Sequence, residues 1–127
     1  MDKDFSENIL KIKQYFLLDT NQVVNGIRNI KSEIEEGSAG IGGYVVHSVI
    51  FSLYVFCKNP FMFVDNVCEA ISVGGDSDSN ASMVGNLCGA LNPISIPTNF
   101  LQQINDKNSC RVDEIISLCK SAAKFIK

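Results

Sequence analysis

The sequence Gly-Gly-Asp-Ser-Asp-Ser-Asn at residues 74–80 carries the clearest chemical pattern in the chain. Its two aspartates are two residues apart and are followed by a hydroxyl, so a tight turn presents several hard oxygen atoms. Such atoms suit Mg²⁺, Mn²⁺ or Ca²⁺ as ligands. The two preceding glycines allow a sharp turn and leave room for a ligand. A purely structural interpretation stays open at this point: Ser77 or Asp78 could serve as the N-cap of the following helix.

Other motifs of similar composition fit this segment less well. An EF-hand loop starting at Asp76 requires glycine where Ala81 stands and glutamate where Leu87 stands. A phosphatase-type Asp-x-Asp motif follows a buried strand, whereas two glycines precede this one. A glycine-rich phosphate loop requires a nearby lysine, and no basic residue lies between Lys58 and Lys107.

The composition is that of one globular domain, which we place at residues 1–127. The 127 residues are 46% hydrophobic and 20% charged, as in ordinary folded proteins. A net charge of -3 argues against a nucleic-acid partner. The chain has a single histidine, His47, so most zinc sites and histidine-based catalytic triads are excluded. Because it lies in an apolar segment, we interpret it as a buried structural residue.

The cysteines and the amino terminus predict a cytoplasmic protein. The five cysteines are odd in number and include no CxxC pair, so they predict free thiols rather than a disulfide framework. The polar amino terminus shows no signal peptide. The apolar run from Tyr44 to Lys58 is shorter than the roughly 20 residues that a membrane span needs. We therefore expect no membrane partner.

Hydrophobic periodicity predicts an all-α fold. The segment at residues 44–58 is predicted to be a buried helix, although its β-branched residues would also suit a strand. A helix beginning near Pro60 would bury one face, formed by Phe61, Val64, Cys68 and Ile71. Glycines 85 and 89 would allow another helix to pack closely. The predicted helices lie near residues 5–17, 20–36, 44–58, 60–73, 76–91, 98–104 and 109–126.

Charge is unevenly distributed along the chain. The segment from Lys58 to Lys107, which has no basic residue between its ends, holds five acidic ones: Asp65, Glu69, Asp76, Asp78 and Asp106. They form either a solvated acidic surface or a set of carboxylates that faces a cation.

Residues 70–91 resemble the carboxy-terminal signature of the ADP-ribosylglycohydrolases. That family usually shows Gly-Gly-Asp-Thr-Asp-Thr followed by a helix rich in small residues. Residues 42–49 are similar to its upstream Gly-Tyr-Val segment, and residues 96–100 to its downstream Ile-Pro-x-x-Trp. The resemblance covers residues 37–105 and keeps the order of all three segments.

The resemblance implies an all-helical ADP-ribosylglycohydrolase-like bundle around a two-magnesium centre that binds the ribose of ADP-ribose. It assigns Asp76, Asp78 and Ser79 as metal ligands. Serines replace the usual threonines at positions 77 and 79, and the hydroxyl oxygen is kept. Gly43 and Tyr44 match a loop near the bound nucleotide and are predicted to contact the substrate.

Members of that family are longer, and their amino-terminal part supplies further metal ligands in a Thr/Ser-Asp-Asp cluster and a Gly-Asp segment. This chain has no Asp-Asp pair, and residues 5–36 contain no Gly-Asp. We therefore expect a truncated bundle that corresponds to the carboxy-terminal half, with half of the magnesium ligands and unidentified catalytic residues.

Two functions follow, and they leave open whether the chain is an enzyme. In one, it hydrolyses the glycosidic bond of ADP-ribosylated proteins once a complementary chain or self-association supplies the missing half. In the other, it is a non-catalytic remnant or a binding module for ADP-ribose, a metal or a partner protein. An unrelated small helical interaction domain ranks below both.

Overall fold

The computed structural model describes residues 12–30, 39–104 and 112–125. The elements in these ranges are helices: α1 (Ile12–Tyr15), α2 (Thr20–Arg28), α3 (Val45–Lys58), α4 (Phe63–Ser72), α5 (Ser77–Leu91), a 3₁₀ turn (Pro93–Ser95), α6 (Thr98–Gln103) and α7 (Val112–Ala123). Within the described ranges, extended backbone pairs at a single parallel bridge, between Ile41 and Gly75. The all-α prediction is confirmed.

The chain divides into two compact units, residues 1–95 and residues 96–127. The first holds α1 to α5 and the 3₁₀ turn, and the second holds α6 and α7. The assignment of residues 1–127 to a single domain, and that of a truncated bundle, stay predictions.

Helix α3 is the centre of the first unit's core. Ile50, Phe51, Tyr54 and Val55 are buried along it, and α2, α4 and α5 pack around it. The four buried residues of α3 are spaced i, i+1, i+4 and i+5, which is the spacing of a broad helical face. A strand would bury alternate residues instead. The helix prediction is confirmed, and the strand alternative is wrong.

Helix α2 begins with a capping box. The Asp19 side chain accepts a hydrogen bond from the Gln22 backbone N–H, and the Gln22 side chain accepts one from the Asp19 N–H. These bonds satisfy two amide groups at the helix start. The helix ends at Arg28, before the charged stretch at residues 33–36 where we predicted its end. That stretch lies outside the described residues, as do residues 5–11 of the helix predicted at residues 5–17, of which the structure describes α1.

Helix α4 buries a different face from the predicted one. The helix begins at Phe63 rather than near Pro60, so Phe61 precedes it. Of the predicted face, Val64 is half-buried and the other three residues, Phe61, Cys68 and Ile71, are exposed, whereas Asn66 and Ala70 are buried. The asparagine can face inward because its amide nitrogen donates to the Asn59 carbonyl at 2.8 Å and to the Cys88 sulfur at 3.2 Å. Apolar periodicity missed this face because a polar residue lies at its centre.

The glycine prediction on α5 is confirmed at Gly85. A Cβ placed there would lie 3.6 Å from the Phe63 ring and 3.7 Å from Val67, at ordinary van der Waals distance. Helix α4 therefore packs directly on this face of α5.

The second unit contains the amphipathic helix α7. Its first turn holds Asp113 and Glu114 and its last turn holds Lys120, so these charges interact favourably with the helix dipole, as predicted. Its large apolar side chains Ile115, Ile116 and Leu118 are all exposed.

Four cysteines in the described residues are free thiols, as predicted. Cys88 is buried in the core, and Cys57, Cys68 and Cys119 are exposed. A search of the described helices for a membrane span found none of sufficient length and apolarity.

Replacing Phe51 with alanine should lower the free energy of unfolding by about 3–5 kcal/mol, because it leaves a cavity in the centre of the core. Phe61→Ala is the matched control, since Phe61 is 61% exposed, and it should change stability by less than about 1 kcal/mol. Urea denaturation followed by circular dichroism measures both. Equal losses would show that α3 does not organise this core.

Candidate metal and ligand site

Two glycine segments meet where α4 leads into α5. Gly74 and Gly75 have φ values of 78° and 84°. Gly40, in the loop before α3, has a φ of 98°. A Cβ on Gly40 would overlap the backbone of Gly74, and one on Gly75 would overlap the backbone of Ile41. Glycine is therefore required here both by the left-handed backbone and by the approach of the two chains.

Backbone hydrogen bonds tie these segments together. The Ile41 N–H donates to the Gly74 carbonyl at 3.2 Å, and the Asp76 N–H donates to the Ile41 carbonyl at 2.8 Å. The Ser48 hydroxyl, on the first turns of α3, donates to the Gly42 carbonyl at 2.9 Å. The loop at residues 40–44 is thus held at Ile41 by residues 74 and 76 and at Gly42 by Ser48 of α3.

This arrangement brings one predicted substrate residue beside a predicted metal ligand. A Cβ placed on Gly43 would lie 3.2 Å from Oδ2 of Asp76. No side chain therefore separates the loop from this carboxylate. Tyr44 follows as the N-cap residue of α3, and its ring meets the His47 ring edge-to-face at 4.9 Å.

The start of α5 differs from the capping interpretation. The N-cap residue is Asp76, rather than Ser77 or Asp78, and its side chain makes no capping hydrogen bond. The Asp76 side chain instead contributes to the lowered pKa of Asp78. Capping therefore does not account for the Asp76 carboxylate.

The pKa of Asp78 is lowered from its usual value. The Asp76 side chain contributes most, and the backbone N–H groups of Asp78 and Ser79 also donate to this carboxyl group. Hydrogen bonds to the ionised form stabilise it. Asp78 is accordingly an anion at neutral pH, exposed on the first turn of α5 next to the exposed Ser79.

These residues fit magnesium in chemical kind but supply only part of a coordination shell. Asp76, Asp78 and Ser79 offer only oxygen ligands, which Mg²⁺ prefers. Octahedral coordination needs further ligands from water, substrate or other residues. Within residues 12–30, 39–104 and 112–125, no group of three or more His, Cys, Asp or Glu side chains is placed to hold a metal ion. The ligand assignments at positions 76, 78 and 79 stay predictions.

His47 is buried, at 1% exposure, and Nε2 lies 3.0 Å from the Ile30 carbonyl. This nitrogen therefore carries the proton and donates to that carbonyl. The contact joins α3 to the end of α2, as expected for a structural histidine.

Asn80 is a site residue that the sequence reasoning missed. It is fully buried, and its amide nitrogen donates to the Ile41 carbonyl at 2.9 Å, the same carbonyl that accepts from Asp76. Its Oδ1 atom is buried without a hydrogen-bond partner in the described residues. Its position at the end of the motif was visible in the sequence, but its partner is 39 residues away.

Comparison with protein families agrees with the resemblance seen in the sequence. The family model of the ADP-ribosylglycohydrolases matches residues 4–126, so it extends on both sides of the three motifs at residues 37–105. The chain belongs to the ADP-ribosylglycohydrolase family. Searches of the curated proteins and of the solved structures gave no significant match.

Replacing Gly75 with alanine should destabilise the protein by at least about 1–2 kcal/mol, because a left-handed backbone is strained by a side chain. Contact with the Ile41 backbone adds to that cost. Gly85→Ala should be neutral or stabilising by up to about 1 kcal/mol, since alanine favours a helix interior. Thermal unfolding of both variants tests the comparison. A Gly75→Ala protein as stable as Gly85→Ala would contradict the close approach of the two segments.

Proposed function

We propose that this chain binds ADP-ribose through Mg²⁺ held by Asp76, Asp78 and Ser79. When further ligands complete the centre, it hydrolyses the glycosidic bond between ADP-ribose and a modified protein side chain. Its partners are then ADP-ribose and ADP-ribosylated proteins. Family membership supports this class of substrate.

One observation carries the proposal: Oδ2 of Asp76 faces the open backbone of Gly43, and the same side chain contributes to the lowered pKa of Asp78. A cation close to neighbouring carboxyl groups stabilises their ionised forms. The Asp76 side chain makes no capping hydrogen bond at the start of α5. A divalent cation would neutralise both groups.

The residues have separate roles in this proposal. Asp76 and Asp78 hold the ion through carboxylate oxygens, and Ser79 adds the hydroxyl that threonine supplies elsewhere in the family. Gly43 leaves space beside Asp76 for the ligand, and Tyr44 contacts the nucleotide. Magnesium, when bound, polarises substrate oxygens and orients the ribose.

Completion of the centre by a complementary chain or by a second copy is part of the proposal. The exposed apolar residues of α7, such as Ile115 and Leu118, support an association of this kind, because apolar patches on a surface favour contact with other proteins. The free thiols support action in the cytoplasm.

The second candidate is a binding module that holds ADP-ribose or a metal without hydrolysis. The partial ligand set among the described residues favours it, because hydrolysis also requires an activated water. The two candidates share the binding step and differ only in turnover.

Asp76→Asn and Asp78→Asn should each weaken Mg²⁺-dependent binding of ADP-ribose about tenfold or more, since each removes one charged ligand. Isothermal titration calorimetry with ADP-ribose, with and without Mg²⁺, measures the effect. Asp65→Asn is the matched control because it makes the same charge change on an exposed residue of α4. It should bind as the wild type does.

Ser79 offers a second matched pair for the same titration. Ser79→Thr keeps the hydroxyl and should retain binding, whereas Ser79→Ala removes the ligand oxygen and should weaken it. Absence of Mg²⁺-dependent binding in the wild type would refute the proposed site. Release of ADP-ribose from a modified protein by this chain distinguishes the enzyme from the binding module.

A further inference from the structure

A second, polar cleft lies in the first unit, between α2, the end of α3 and α4. Its volume is about 610 Å³, within the range of small-molecule sites. Asn21, Asn25 and Arg28 contribute to its α2 wall, and Lys58 and Ser72 to the facing walls. We call it the α2–α4 cleft. The proposed metal ligands and the two residues at positions 43 and 44 do not line it.

Two basic residues in the described part of the first unit line this cleft. The described part of residues 1–95 contains Lys13, Arg28 and Lys58 as its only basic residues, and the last two line the cleft. The same part contains five acidic residues, of which only Glu69 lines the cleft. The described lining residues therefore carry the two positive charges of Arg28 and Lys58 against the one negative charge of Glu69.

Lys58 and Glu69 neutralise each other. The Lys58 Nζ donates to Glu69 Oε1 at 2.9 Å, and the Thr20 hydroxyl donates to the same oxygen at 2.6 Å. Hydrogen bonding to Glu69 raises the pKa of Lys58. The triad of Thr20, Lys58 and Glu69 joins α2, α3 and α4. The charges of Lys58 and Glu69 are therefore explained by a structural contact.

Arg28 is left as the uncompensated charge of the cleft. It has no ion pair among the described residues, and it is exposed at the end of α2. Asn25 and Asn21 lie one and two turns before it on the same helical face, at i, i+4 and i+7 spacing from Asn21. One guanidinium group and two amide groups therefore line one wall.

We infer that the α2–α4 cleft binds a small phosphorylated molecule rich in hydroxyl groups, with its phosphate on Arg28. A guanidinium group matches phosphate oxygens with two parallel hydrogen bonds. The amide groups of Asn21 and Asn25 both donate and accept, which suits the hydroxyls of a sugar or polyol. The Ser72 hydroxyl donates to the Glu69 carbonyl at 2.9 Å and can accept from a ligand. The volume exceeds what a single phosphate ion fills, so it accommodates the hydroxylated part as well.

Titration of the full chain with glucose 6-phosphate, inorganic phosphate and glucose tests this site. Calorimetry should show glucose 6-phosphate binding more tightly than phosphate, and glucose not binding. Arg28→Gln should weaken glucose 6-phosphate binding at least tenfold. Lys120→Gln makes the same charge change on the exposed face of α7 and should stay within twofold of the wild type.

Three outcomes would overturn the inference. They are no saturable binding by the wild type, equal affinity of Arg28→Gln and wild type, and equal binding of gluconate, which carries a carboxylate instead of a phosphate. Asp78→Asn should leave glucose 6-phosphate binding unchanged. A loss of glucose 6-phosphate binding in Asp78→Asn would assign that binding to the proposed metal site. This result too would overturn the inference of a separate binding cleft.

Discussion

The site depends on the close approach of two backbones, at Ile41 and at Gly75. Three left-handed glycines make that approach sterically possible, and the Ile41 carbonyl then accepts hydrogen bonds from both the Asp76 N–H and the Asn80 side chain. These contacts hold the loop before α3 against the start of α5. The position of Gly43 beside the Asp76 carboxylate follows from this junction, because the loop is tied again at Gly42 by Ser48.

Buried asparagines connect the helices around this junction. Asn80 joins α5 to the loop, and Asn66 joins α4 to the Asn59 carbonyl and to Cys88 of α5. A buried amide is costly unless its hydrogen bonds are made, so these contacts favour one register of α4 and α5 over others. The apolar core around α3 supplies cohesion, and the two asparagines make the packing specific.

The charges of the first unit are separated in space. Asp76 and Asp78 lie at the start of α5, where the helix dipole and free backbone N–H groups stabilise negative charge. Lys58 and Arg28 line the α2–α4 cleft. The long acidic segment of the sequence therefore contains two different environments, since Glu69 is paired with Lys58 and the two motif aspartates are not paired with any basic residue in the described part of the chain.

The sequence by itself determined the all-α class, the buried helix at α3 and the family, because these depend on local periodicity and on contiguous motifs. The tertiary structure decided which face of α4 is buried, that Asp76 rather than Asp78 is the N-cap, and that Asn80 supports the site. It also brought Gly43 to Asp76 and assembled the α2–α4 cleft from three helices. Each of these depends on contacts between residues far apart in the chain, which periodicity and spacing do not encode.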